Sequence, residues 1–192
     1  MQRLLEALQF IEHELLIFAA FWFIISALDE FAVDLSWLWL RLMGKANEIR
    51  ISVREETRPL SGKAAVFVPA WHEADVIGPM IGHTLDVWPQ DELTLYIGCY
   101  ANDPETIAAA MRASGGDPRI RLVIHHRSGP TTKADCLNRL YAALCSDEDR
   151  SGARYKSIIL HDAEDMVHPA ALSVIDGALS EVAFVQLPVR PE

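Results

Sequence analysis

Cysteine is scarce in this 192-residue chain, with only Cys99, Cys136 and Cys145. Three thiols without a paired spacing offer neither a disulfide framework nor a zinc cluster, and they read as reduced, buried groups of a cytosolic compartment. Basic residues are also few: 17 Lys and Arg stand against 27 Asp and Glu, a net charge of −10. Nucleic-acid binding needs a basic face, so that partner is excluded. Internal repeats and low-complexity tracts are missing. No uncharged apolar run is long enough to cross a bilayer untilted. The longest, residues 15–28, reaches about 21 Å as a helix against a hydrocarbon core of roughly 30 Å.

Apolar residues are nevertheless plentiful, at 51% of the chain, and the surplus lies before residue 45. Leu4, Leu5, Leu8 and Ile11 recur at helical spacing ahead of Glu12-His13-Glu14 and the run 15–28. After Asp29-Glu30 the apolar character resumes through Trp37-Leu38-Trp39-Leu40. The pattern predicts a tilted membrane span followed by an interfacial helix carrying Trp37 and Trp39, with a buried core helix pair as the competing reading. A cleaved signal peptide fits less well, because Glu12 and Glu14 flank the apolar core and no small-residue cleavage site follows. Only Arg3 precedes the span, whereas Arg41, Lys45, Arg50 and Arg54 follow it. The positive-inside rule then puts residues beyond about 44 in the cytoplasm. The chain divides on this reading into an anchor (1–43), a linker (44–63) and an α/β region (64–192).

From residue 64 strand-like and helix-like stretches alternate. Strands are predicted over 64–68, 93–97, 120–124, 158–160 and 183–187. Between them lie a helical pattern from Val76 to Leu85, a helix opened by Asp103-Pro104-Glu105 and closed at Gly115-Gly116, and helices over 133–145 and 169–181. Such alternation specifies an α/β fold, a mostly parallel sheet with helices on both faces.

Right-handed crossovers put the carboxyl ends of the parallel strands on one edge, where open α/β sheets bind ligands. The polar residues fall at those ends: Pro69-Ala70-Trp71-His72-Glu73, then Tyr100-Ala101-Asn102-Asp103, then His125-His126-Arg127 with Thr131-Thr132-Lys133, and finally Asp162-Ala163-Glu164-Asp165. Crowded carboxylates repel one another unless a cation sits among them, and hard ions such as Mg²⁺ or Mn²⁺ suit such an oxygen cage with phosphate. Lys133 opposes the dipole of the helix it begins, which points to an anion nearby. The plainer reading of the acidic stretch is a loop in which Asp165 caps the helix at Pro169. Asp103 reads equally as a helix cap, and His72, His125 and His126 as solvated loop histidines.

Pro69-Ala70-Trp71-His72-Glu73, Thr132-Lys133-Ala134-Asp135-Cys136-Leu137-Asn138 and Asp162-Ala163-Glu164-Asp165 together resemble, in order and spacing, family 2 glycosyltransferases of the GT-A (Rossmann-like) fold. The N-terminal span, Tyr100-Ala101-Asn102-Asp103-Pro104 and His161-Asp162-Ala163-Glu164-Asp165 are similar to the phage adsorption protein B group of bacterial inner-membrane glycosyltransferases. The resemblance implies inverting transfer of a sugar from a nucleotide sugar, a UDP-sugar foremost, to a glycan or envelope acceptor. It implies nucleotide-sugar binding by Pro69, Ala70, Trp71, Glu73, Asp103, Lys133 and Asp162. Mg²⁺ or Mn²⁺ would be held by Asp162 with Glu164 or Asp165. Cys99 and Tyr100 stand where the family carries a uracil-reading aspartate. The general base and the acceptor segment are expected beyond Glu192, so this chain is expected to bind donor without efficient turnover. The rival readings are a membrane-anchored module that docks a phage or outer-membrane partner, and a metal-dependent phosphate-ester hydrolase.

Overall fold

Val66, Phe67, Leu95, Tyr96 and Ile97 lie in runs without polar alternation, as strands covered on both faces require. They belong to β1 (Lys63–Pro69) and β2 (Leu93–Tyr100), the central pair of a four-stranded sheet completed by β3 (Ile120–His125) and β4 (Tyr155–Leu160). The computed structural model describes residues 2–45 and 58–187, and the chain separates into two units, Met1–Arg50 and Ile51–Glu192.

In the second unit the strand order is β3-β2-β1-β4 and every pairing is parallel. The chain steps outward from β1 to β2 and β3, then returns to lay β4 on the other side of β1. The order thus reverses between β1 and β4, the place where such sheets open a crevice. On one face Val66, Val68, Leu95 and Ile97 pack with Ile77, Met80 and Ile81 of α2 (Ile77–Val87), Ala109 and Ala110 of α3 (Pro104–Ser114) and Leu172 of α5 (Ala171–Ala178). On the other, Ala65, Phe67, Tyr96 and Val123 meet Leu140 and Leu144 of α4 (Lys133–Ser151). Gly98 on β2 admits this helix: a Cβ there would stand 2.6 Å from Cys136 Sγ.

The predicted elements are present with shifted ends, save one. β2 continues to Tyr100 because Cys99 and Tyr100 stay in register with Ile124 and His125. α4 runs past residue 145 to Gly152, whose φ of 69° closes it, while Glu148 accepts from the backbone N–H of Tyr155 at 2.7 Å. α5 is shorter than the predicted 169–181. It begins after a turn in which Ala170 N–H donates to His168 Nδ1, and no side chain caps it, so Asp165 is not its cap. The predicted strand at 183–187 is not there: those described residues are irregular, and Phe184 is 79% exposed with no sheet neighbour. Most of the predicted linker, 46–57, lies outside the described residues, as do Arg50 and Arg54.

In the first unit the predicted span and interfacial helix are one continuous helix, α1 (Gln2–Leu42), about 62 Å long. Asp29, Glu30 and Asp34 carry no helix breaker, so the charges interrupt the apolar run without interrupting the helix. Its described side chains are all exposed, and residues 8–42 are apolar and long enough to span a bilayer. The alternative of a buried helix pair finds no support in side chains this exposed.

Asp176 ties α5 to the sheet. It accepts from Ser61 N–H at 3.0 Å and Ser61 Oγ–H at 2.8 Å, and pairs with Lys156 of β4 at 2.9 Å. Burial raises its proton affinity, but the Lys156 and Ser61 hydrogen bonds outweigh that and hold it below the ordinary carboxylate range. A depressed folded pKa gives stability that is present above the unfolded value and lost as pH falls through the folded one. Asp176→Asn is therefore expected to cost about 2 kcal/mol in urea unfolding at pH 7. The gap to wild type should close when the titration is repeated at acid pH.

Candidate functional site

The strand order reverses between the neighbouring strands β1 and β4, and a cleft of about 290 Å³ opens at their carboxyl ends. Pro69, Ala70, Trp71 and Glu73 line it from β1, and Asp162, Ala163 and Glu164 from the loop after β4. Tyr100 from β2 and Thr131, Lys133 and Cys136 from the start of α4 complete it. Of the residues marked out by sequence, Pro69, Ala70, Trp71, Glu73, Lys133, Asp162 and Glu164 converge on this cleft. Asp103 and Asp165 do not line it.

Local physics sets each wall. His161 N–H donates to Phe67 O at 3.0 Å, carrying the β1–β4 ladder one step further and delivering Asp162 to the rim. The acidic loop is then held from α2: His83 Nε2 hydrogen-bonds Val167 O at 2.8 Å, and the indole N–H of Trp88 donates to His168 O at 3.1 Å. On the opposite wall Thr132 caps α4 by accepting from Asp135 N–H at 3.2 Å. Lys133 follows at the first helical position, and its ammonium reaches across the cleft into an ion pair with Asp162 Oδ1. The anion that compensates this lysine for opposing the helix dipole is Asp162 itself.

Asp103 is buried and serves the backbone. One oxygen accepts from His72 N–H at 2.7 Å and the other caps α3 through Thr106 N–H at 3.3 Å. Burial opposes its ionisation, yet these bonds, with Thr106 contributing through backbone and side chain, keep its pKa below the usual value. The bond to His72 supports a non-glycine residue in the left-handed region, at φ 60°. Asp103 thus shapes the Trp71–Glu73 turn from outside the cleft lining.

His125 is buried on β3 rather than solvated in a loop. Its ring stacks on Tyr100 at 5.1 Å and on His126 at 5.0 Å. Nδ1 accepts from Arg127 N–H at 3.0 Å, which leaves the ring proton on Nε2, 3.3 Å from Asp135 Oδ2 at ion-pair distance but without hydrogen-bond geometry. Tyr100, Thr131 and Cys136 are cleft residues not assigned from sequence. Cys136 had a readable signal, since it opens the buried stripe Cys136, Leu140, Leu144 and Glu148 on α4. Tyr100 had one too, since it opens the polar group after the second predicted strand.

Three carboxylates, Glu73, Asp162 and Glu164, share the cleft, the last two on the acidic loop, and among the described residues no three His, Cys, Asp or Glu side chains gather as a metal cage. The expected trio thus contributes two members to the cleft. That set fits Mg²⁺ or Mn²⁺ arriving with a diphosphate, since Mg²⁺ keeps waters and binds through one or two carboxylates plus substrate phosphate. It does not fit a resident structural ion.

A family model described as "Glycosyltransferase like family 2" matches residues 62–191, the entire α/β region. The chain belongs to that family. The curated relatives of this family 2 chain include Bacteriophage adsorption protein B of Escherichia coli (strain K12) and Bacteriophage N4 adsorption protein B of Escherichia coli O157:H7. Each is 33% identical over 172 residues, covering 87% of this chain. The chain spans 23% of the length of these relatives. Among solved structures, a mannosyltransferase from Pyrobaculum calidifontis in complex with GDP-Man and Mn²⁺ aligns at 20% identity with a TM-score of 0.46, over 64% of this chain and 36% of that one.

Glu73 reports the charge of the cleft. Its pKa is raised by burial first, then by the negative charges of Glu164, Asp103 and Asp162. A carboxyl whose folded pKa exceeds its unfolded value penalises folding at neutral pH, and the penalty vanishes below the unfolded value, near pH 4. Glu73→Gln is expected to melt at a higher temperature than wild type at pH 7.5. Thermal unfolding followed downward in pH should show the two proteins converging.

Proposed function

We propose that this chain is the donor-binding part of a membrane-anchored glycosyltransferase that takes a sugar from a nucleotide sugar, a UDP-sugar foremost, to a glycan or envelope acceptor with inversion. The observation that carries the reading is the meeting of Trp71, Glu73, Lys133, Asp162 and Glu164 in one cleft at the β1/β4 reversal, in a family 2 chain. Pro69 to Glu73 frame the base and ribose. Lys133 supplies positive charge to the diphosphate, and Asp162 and Glu164 hold the divalent ion that accompanies it. When bound, that ion neutralises charge on the departing nucleoside diphosphate. The base that deprotonates the acceptor is not assigned to any of the described residues. Asp103 orders the turn around the donor, and Asp165 lies outside the metal set.

α1 is proposed as the anchor in the bacterial inner membrane. A helix apolar on nearly all sides is stable only inside a large core or a bilayer, and here the described side chains are exposed. Arg41 and Lys45 at its carboxyl end favour the cytoplasm for the α/β unit.

A second reading is favoured by one observation. The Lys133–Asp162 pair already neutralises the key carboxylate, as in a module that holds its shape and docks a partner without chemistry. The adsorption proteins among its relatives make a phage or outer-membrane partner the natural candidate.

Isothermal titration of the full chain in detergent micelles with UDP-sugars separates the two. Donor binding predicts affinity that rises with Mn²⁺ and falls at least about tenfold in Asp162→Ala, a loss of about 1.4 kcal/mol. Binding indifferent to both Mn²⁺ and Asp162 supports the docking module.

A further inference from the structure

Trp71 is gripped from two sides by consecutive residues of the turn after β2. On one side Asp103 accepts from the N–H of His72, fixing the backbone immediately after the tryptophan. On the other, Asn102 closes two hydrogen bonds on a single residue: its Nδ2–H donates to Gly129 O at 2.9 Å, and Gly129 N–H donates to its Oδ1 at 2.7 Å. Gly129 lies directly under the indole. A Cβ built on it would stand 2.4 Å from Trp71 Cζ3 and 2.5 Å from Cε3, so the six-membered ring rests on the glycine backbone. The edge of the ring meets Tyr100 at 5.1 Å and His72 at 4.2 Å.

Asn102 is exposed, and both of its bonds go to the backbone of one half-buried glycine outside the core, so it adds nothing to the core. What the clasp does determine is the height and tilt of the surface on which Trp71 lies. We infer that Asn102 is a positioning residue that, through Gly129, presets Trp71 as the stacking wall for the base of the bound nucleotide. The inference rests on the donor-site reading above and extends it to a residue outside the cleft. Stacking of a base on an aromatic ring strengthens binding, and it weakens when the ring is free to turn.

Two variants disturb the wall by opposite means: Asn102→Ala releases the glycine, and Gly129→Ala pushes the indole off it. Asn102→Asp keeps the acceptor for Gly129 N–H and loses the donor. The probe is UDP with Mn²⁺, titrated into the full chain in micelles, with Trp71→Ala and Asp162→Ala alongside. Trp71 is followed by ¹⁹F NMR of 5-fluorotryptophan-labelled protein, its line assigned with Trp71→Phe. Asn102→Ala and Gly129→Ala are expected to weaken UDP about tenfold, Asn102→Asp less, and to shift or broaden the Trp71 line without UDP present. The melting temperature of Asn102→Ala should stay at the wild-type value, which a merely structural role would not allow. Wild-type UDP affinity in Asn102→Ala while Trp71→Ala binds poorly overturns the positioning role and leaves the donor site standing. Wild-type affinity in Trp71→Ala and Asp162→Ala as well overturns the donor-site reading and the positioning role with it. Should Gly129→Ala fail to fold, Asn102→Ala alone decides.

Discussion

A charge conflict governs this structure. Four parallel strands bring all their carboxyl ends to one edge, and the strand order reverses between β1 and β4. Glu73 from one side of the reversal and Asp162 and Glu164 from the other therefore face the same cleft. Burial first, and then the negative charges of Glu164, Asp103 and Asp162, raise the proton affinity of Glu73. One ammonium, Lys133, crosses the gap to Asp162 and relieves part of it. The lysine stands at the start of α4, where the helix dipole resists it, so the pair joins two groups that each need the other.

The same pair explains how one cleft serves both a fold and a chemistry. An exposed ion pair adds little stability and opens easily. On the proposed function, Asp162 would hold a divalent ion, and Lys133, released from it, would pair with the accompanying diphosphate. Ion and nucleotide would then favour each other, because each would occupy one half of a pair that the protein closes on itself. The surrounding shell is tied by hydrogen bonds: Asp103 to the His72 turn, His83 and Trp88 to the acidic loop, and Asn102 to Gly129.

Much of this is legible in the sequence. Continuous Val/Ile/Leu runs marked buried parallel strands, Asp103-Pro104 and Gly115 marked the ends of α3, and the rule about strand ends gathered Trp71, Glu73, Lys133, Asp162 and Glu164 in advance. The misreadings have physical causes. An apolar segment at 183–187 resembles a strand locally, but a strand exists only with a neighbour to pair with. Asp29 and Glu30 looked like a boundary, yet a helix ends on backbone grounds and tolerates charge on its surface. Asp103 was read as a cap and, by the resemblance, as a nucleotide-sugar contact; its side chain caps α3. The burial of His125 against Tyr100 and the Asn102–Gly129 clasp depend on which segments meet across twenty-five residues of sequence or more, a distance no local pattern encodes.

The exchange at Asp162 is most directly visible to electron paramagnetic resonance of Mn²⁺ added to the full chain, with and without UDP, in wild type and in Lys133→Met. If Lys133 stands in for the ion, wild type takes up Mn²⁺ appreciably only when UDP is present, and Lys133→Met takes up more Mn²⁺ than wild type when UDP is absent. Equal Mn²⁺ uptake with and without UDP, unchanged by Lys133→Met, contradicts it.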